Sequence, residues 1–154
     1  MNKPLWEPTE LKKKNSILAD FAKFINFKSE YNFKDLWKWT VENPEEFWRN
    51  FWDYSKIKGN KGKEVIQYNK VFNKTKFFPD SKINYAENIL KKKTDDMAIH
   101  FLSEKGFEES ISWNKLYEKV CKFSSYLKTL GLKKGDRVAA YVPNKIESII
   151  SFLA

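Results

Sequence analysis

One histidine, one cysteine and three adjacent carboxylate pairs are the side chains in these 154 residues best suited to proton transfer, nucleophilic attack or metal binding. His100 lies between Ile99 and Phe101 in a strand-like stretch, and as a general base it would need a pocket and a partner. Its placement reads as structural or surface. Cys121 has no second cysteine and no ligand at useful spacing, so it reads as a half-buried helix cysteine in a reducing compartment. Glu45–Glu46, Asp95–Asp96 and Glu108–Glu109 fall at expected helix starts or turns, where carboxylates cap and solvate. The glycines at 59, 62, 106, 131 and 135 read as turns and caps. None builds a phosphate-cradling GxxxxGK[ST] or GxGxxG loop, and HExxH, CxxC and GxSxG do not occur. No residue of this stretch is therefore assigned a catalytic, cofactor-binding or metal-ligating role.

The elements around these residues divide into two styles. The first half is helical and aromatic, with five of the six tryptophans between Trp6 and Trp52. Asn15 or Ser16 should cap a helix with Ile17, Leu18, Phe21, Phe24 and Ile25 on one face. Asn32 should cap a second, with Phe33, Leu36, Trp37, Thr40 and Val41 inward. In NPEEFW, Asn43 reads as a cap, Pro44 as the first helical residue and Glu46 as the far end of a capping box. Phe47, Trp48, Phe51 and Trp52 follow on the apolar face. Aromatics could stack bases, but this spacing on consecutive helices points to core.

GNKG (59–62) is a turn, Glu64–Tyr68 a short strand, and residues 76–93 a loop running into a helix that buries Ile83, Ala86, Ile89 and Leu90. From Asp95 the pattern alternates. MAIHFL and FEESISW form a hairpin across EKG, and a helix from Trp113 to Leu130 buries Leu116, Val120, Phe123, Leu127 and Leu130. Gly131 ends it. RVAAYV then reads as a strand covered on both faces. After Pro143, Asn144 and Glu147 look like a capping box for a helix with Ile146, Ile149, Ile150 and Leu153 as its stripe. That stripe still runs at Ala154, and the crossover after RVAAYV begins without its parallel partner. The expectation is a truncated α/β chain: a helical leader over 1–76, a loop and short helix over 77–94, and the opening of a larger α/β domain over 95–154.

Composition bounds the partners. Hydrophobic residues are 42% and aromatics 17%, enough for a core. No apolar run approaches the about 18 residues of a membrane span, and MNKPLWEPTELKKKN lacks a signal peptide's apolar middle. No membrane partner and a cytoplasmic location are expected. Net charge is +9, but only Arg49 and Arg137 among the 29 basic residues are arginine, the side chain suited to bidentate phosphate contacts. The lysines are spread over helix ends and turns, so nucleic acid is not expected as a partner.

Three collinear stretches resemble the N-terminal region of the acetoacetyl-CoA synthetases, a family of adenylate-forming acyl-CoA synthetases. They are LWEP (5–8), FFPDSKINYAENIL (77–90) and GDRVAAYVPNKIESIISFLA (135–154). Phe47, Trp48 and SWNKLYEKV (112–120) are similar to residues of the wider acetyl-CoA synthetase group. The resemblance implies a two-step ligase using ATP, Mg²⁺ and CoA, with its phosphate loop and catalytic lysine downstream of Ala154. No cofactor site is expected in this stretch, and oligomeric state is not implied. The alternatives are a ligase for acetate or propionate and, from another class, a basic aromatic-rich interaction module.

Overall fold

Short side-chain oxygens open most of the helices, and they do so where the sequence places them. The computed structural model describes residues 5–28 and 32–154. Residues 1–4 and 29–31 of the leader expected over 1–76 lie outside them. The chain forms two compact units, Met1–Ile83 and Asn84–Ala154.

In the first unit Thr9 caps α1 (Glu10–Lys14), a helix the sequence reading did not include. Ser16 Oγ accepts from Ala19 N at 3.1 Å and opens α2 (Ile17–Phe24). Asn32 Oδ1 accepts from Asp35 N at 3.0 Å and opens α3 (Phe33–Glu42). At α4 (Pro44–Tyr54) the expected capping box is absent. The Asn43 amide turns back instead, and its Nδ2 donates to Trp39 O at 3.1 Å, so it serves the end of α3. Phe21 is the centre of the aromatic cluster, 6% exposed, with Phe47, Phe51 and Tyr54 edge-on at 5.9, 6.1 and 5.2 Å. The expectation of an aromatic core holds in part: Phe21 is buried, Phe47, Trp48 and Trp52 are half-buried, and Phe51 is exposed. The faces of α2 and α3 are narrower than expected: Phe21, Ala22 and Leu36 are buried, while Ile17, Leu18, Phe24, Phe33, Trp37 and Val41 are exposed. A helix of two or three turns meets its neighbour through about one residue per turn.

Two antiparallel ladders complete this unit. β1 (Gly59–Asn60) pairs with β4 (Lys82–Ile83), and β2 (Ile66–Gln67) pairs with β3 (Lys76–Phe77). The second halves of both lie in a stretch read from sequence as loop. Val65 and Ile66 are buried, whereas Ile83, expected inward, is exposed. Phe78 carries a positive φ of 46°, held by a 2.8 Å bond from its N to Val65 O and by its ring against Trp52 at 4.8 Å.

In the second unit Asn84 caps α5 (Tyr85–Ile89). β5 (Met97–Leu102) and β6 (Glu108–Ser112) form the expected hairpin, with Ile99 opposite Ile111 and His100 opposite Ser110. Ser112 caps α6 (Trp113–Thr129). Gly131 closes it at φ 83°, donating to Lys128 O at 3.0 Å, while Leu132 N reaches Leu127 O at 3.4 Å. α7 (Ile146–Leu153) starts one residue later than expected. Lys145 occupies its N-cap without a side-chain bond, which moves Glu147 out of reach of a capping box with Asn144. Leu90, Ile111, Leu116, Val120, Ile146, Ile150 and Leu153 form the core. Ile89, Leu130 and Ile149 remain exposed, and so does Cys121, which points from α6 to solvent and was expected half-buried.

Arg137–Val142 is the principal correction. It pairs with nothing and is exposed throughout, although the sequence reading made it a doubly covered strand. A strand exists through its ladder, and a parallel partner needs a crossover and a second strand beyond it. Among the described residues no helix is long and apolar enough to cross a membrane.

Candidate functional site

The side chains capable of chemistry are dispersed, and each is explained by a local contact. His100 Nε2 lies 2.6 Å from Glu108 Oε1, a diagonal pair across the β5–β6 ladder with both groups open to solvent. Both side chains are exposed, and a pair of this kind contributes little to stability. Glu108 and Glu109 thus sit on a strand, not at the turn expected for them. Asp95 accepts from Asn114 Nδ2 at 2.7 Å, and Asp96 accepts from Lys92 Nζ at 2.8 Å and Thr94 Oγ1 at 3.0 Å. The Lys92 bond, then the Thr94 bond, hold the Asp96 carboxyl below the usual carboxylate range. The Asn114 bond, with backbone bonds from Trp113 N to Asp96 O and from Asn114 N to Thr94 O, fastens residues 94–96 to the start of α6. Glu45 and Glu46 lie in the first turn of α4, as expected.

On α6, Glu118 accepts from Lys115 Nζ at 2.7 Å, one turn before it, and from Lys122 Nζ at 2.6 Å, one turn after it. The Lys115 bond, followed by that from Lys122, brings its pKa down from 4.5 to about 2. In the first unit the Tyr54 hydroxyl donates to Asp20 Oδ2 at 3.0 Å. Lost hydration, then that bond, raise the Tyr54 pKa above its ordinary value. Among the described residues no group of three or more His, Cys, Asp or Glu side chains could hold a metal ion.

What the second unit does present is a groove of about 700 Å³. Phe123 and Leu127 of α6, Phe152 of α7 and the run Val138, Ala139, Ala140 and Val142 line it. Val138 is 60% exposed, Val142 51% and Phe152 74%. Among the described residues no backbone hydrogen bond involves residues 137–143. The segment is thus apolar from Val138 to Val142 and without backbone partners among the described residues. The continuous apolar run Val138–Val142 reads in the sequence as a buried strand, which the structure does not form. The lining by Phe123, Leu127 and Phe152 was not legible as a groove, because it comes from two helices separated by the turn around Gly131.

Residues 86–154, from within α5 to the end of α7 and including the whole groove, match the AMP-binding enzyme family. The chain is 35% identical over 159 residues to the acetoacetyl-CoA synthetase of Xenopus tropicalis, covering 99% of this chain and 23% of that protein. It is 36% identical over 134 residues to the acetyl-coenzyme A synthetase of Desulfatibacillum aliphaticivorans, covering 79% of this chain and 20% of that protein. The structure of acetoacetyl-CoA synthetase from Streptomyces lividans superposes with a TM-score of 0.83 over 99% of this chain and 25% of that one, at 23% identity. The fold of this chain is therefore that of a part of the Streptomyces lividans protein. The resemblance carried by FFPDSKINYAENIL and GDRVAAYVPNKIES holds along nearly the whole sequence, and the chain spans about a quarter of the length of the curated relatives it matches.

Proposed function

We propose that this chain is part of a ligase that makes acetoacetyl-CoA from acetoacetate. In the reaction a carboxylate oxygen of acetoacetate attacks the α-phosphorus of ATP, and pyrophosphate leaves. The CoA thiolate then attacks the acyl carbonyl and expels AMP. Mg²⁺ accompanies ATP in this reading and offsets its charge. The observation that carries the acetoacetate assignment is coverage: relatives named acetoacetyl-CoA synthetase align with 97–99% of this chain, leader included. The acetyl-coenzyme A synthetase aligns with 79%. Its 36% identity also favours the second reading, a ligase for acetate or propionate.

In this proposal residues 1–76 are a leader, 77–94 a connecting loop and helix, and 95–154 the opening of the AMP-binding domain, in a cytoplasmic enzyme. No residue of this chain is assigned a role with acid, ATP, CoA or Mg²⁺. The work of these residues is structural: to seat the leader and to begin the sheet. The test is pyrophosphate release by the protein that contains this chain, with acetoacetate, acetate, propionate and 3-hydroxybutyrate compared side by side. Acetoacetate should give the highest kcat/KM. A higher value for acetate or propionate would remove the acetoacetate assignment and leave an adenylating ligase, and AMP formation with none of the four would remove both.

A further inference from the structure

The positive charge of this chain is concentrated in one stretch of its first unit. From Lys56 to Lys82 there are eight lysines against two carboxylates, Glu64 and Asp80, so this stretch holds six of the nine net positive charges. At its centre, residues 68–75 connect β2 to β3 and present an apolar tip. Phe72 is 93% exposed, and Tyr68 and Val71 are exposed beside it in sequence. Lys70, Lys74 and Lys76 flank the tip in sequence, face solvent and form no ion pair among the described residues. We propose that this loop adsorbs to an anionic lipid surface, with Val71 and Phe72 entering the interface and the lysines meeting the headgroups.

The loop can leave water at low cost, because much of its backbone is satisfied internally. Asn69 N donates to Thr75 Oγ1 at 3.2 Å and Val71 N to Asn69 Oδ1 at 2.9 Å. Lys74 N donates to Val71 O at 2.9 Å and Thr75 N to Phe72 O at 3.1 Å, closing a 3₁₀ turn over Phe72–Lys74. Peptide groups bonded in this way need no water at the edge of the hydrocarbon. A lysine stem is apolar and its ammonium mobile, so lysines beside an inserted ring still reach anionic headgroups. Adsorption through a loop needs no spanning helix. Other occupants fit less well. Nucleic acid favours arginine, and none lies between Arg49 and Arg137. A single protruding ring is also no stacking platform for successive bases. A second copy would set two lysine clusters against each other. An acidic protein would need a socket for Phe72, whereas a lipid surface accepts the ring without one.

The test sediments the protein that contains this chain with vesicles of phosphatidylcholine and phosphatidylserine and, in parallel, with vesicles of phosphatidylcholine alone. Partitioning should be about tenfold or more stronger on the anionic vesicles and should weaken severalfold as salt is raised. Phe72→Ala should weaken it about tenfold, while Phe72→Trp should keep it. Lys70→Gln and Lys74→Gln should each weaken it about fivefold. Lys105→Gln, the same charge loss on the second unit, should have a smaller effect. Thermal unfolding and pyrophosphate release should be unchanged in all five variants. Absence of partitioning on anionic vesicles overturns the proposal, as does binding indifferent to Phe72→Ala or weakened equally by Lys105→Gln and Lys74→Gln. Capture of single-stranded RNA or of polyglutamate through Phe72, with no vesicle binding, would name a different occupant and overturn it as well.

Discussion

Glu118 shows how an exposed helix residue acquires a pH signature without belonging to a site. Lys115 and Lys122 both bond its carboxylate and bring its pKa from 4.5 to about 2. A carboxyl whose folded pKa is depressed contributes stability above its unfolded pKa and loses that contribution as pH falls through the folded value. Glu118→Gln should therefore lower the melting temperature slightly at neutral pH, and the difference from wild type should vanish between about pH 4.5 and 2. A difference independent of pH across that window would show that the two lysines do not stabilise the ionised carboxylate. The core residues obey a different rule. Leu116 is 2% exposed and Phe152 is 74% exposed. Leu116→Ala should cost about 2–5 kcal/mol by urea unfolding, while Phe152→Ala, despite the larger side chain, should stay within about 0.5 kcal/mol.

At the scale of elements, glycine separates backbone strain from crowding. Gly131 closes α6 at φ 83°, and a Cβ there would meet nothing within 4 Å. Gly59 has φ 149°, and a Cβ would lie 2.6 Å from Lys82 O and 2.7 Å from an Ile83 methyl, across the β1–β4 ladder. Gly131→Ala should cost only the left-handed backbone penalty, about 1–2 kcal/mol. Gly59→Ala should cost more, and its amide exchange should rise at Lys82 and Ile83; equal costs would mean the β1–β4 contact yields. The same contrast explains what the sequence disclosed. Ser16, Asn32 and Gly131 were legible because a cap or a stop is settled by neighbours within four residues, and the β5–β6 hairpin because its period-2 runs flank one turn. The β1–β4 ladder was not, since it joins residues more than twenty apart through two-residue strands with no period to read. Asn43 misled because two helix ends compete for one side chain, and its amide serves α3. Val138–Val142 misled: the apolar run reads as a covered strand, but a strand exists only through a ladder, and none forms there.

For the whole molecule, the distribution of glycines and open helix ends decides what the 154 residues bind unaided. The five glycines are dispersed, Gly59 in β1 and the others at separate turns and loops, and no phosphate-cradling motif joins them. Helix N-termini are the other source of free N–H groups for phosphate. Side-chain oxygens cap α2, α3, α5 and α6. The starts of α4 and α7 have no such cap, and α7 has Lys145 beside it, yet Glu45 and Glu46 in the first turn of α4 and Glu147 in that of α7 oppose an anion there. Calorimetric titration of the chain with Mg-ATP should accordingly give no saturable heat at micromolar ligand. Saturable binding abolished by Lys145→Ala would place a phosphate site at α7. Binding that survives that substitution would locate a nucleotide site elsewhere in these residues. Either result would contradict the division of labour proposed for the ligase, in which this chain begins the sheet and seats the leader while ATP is held by groups outside it.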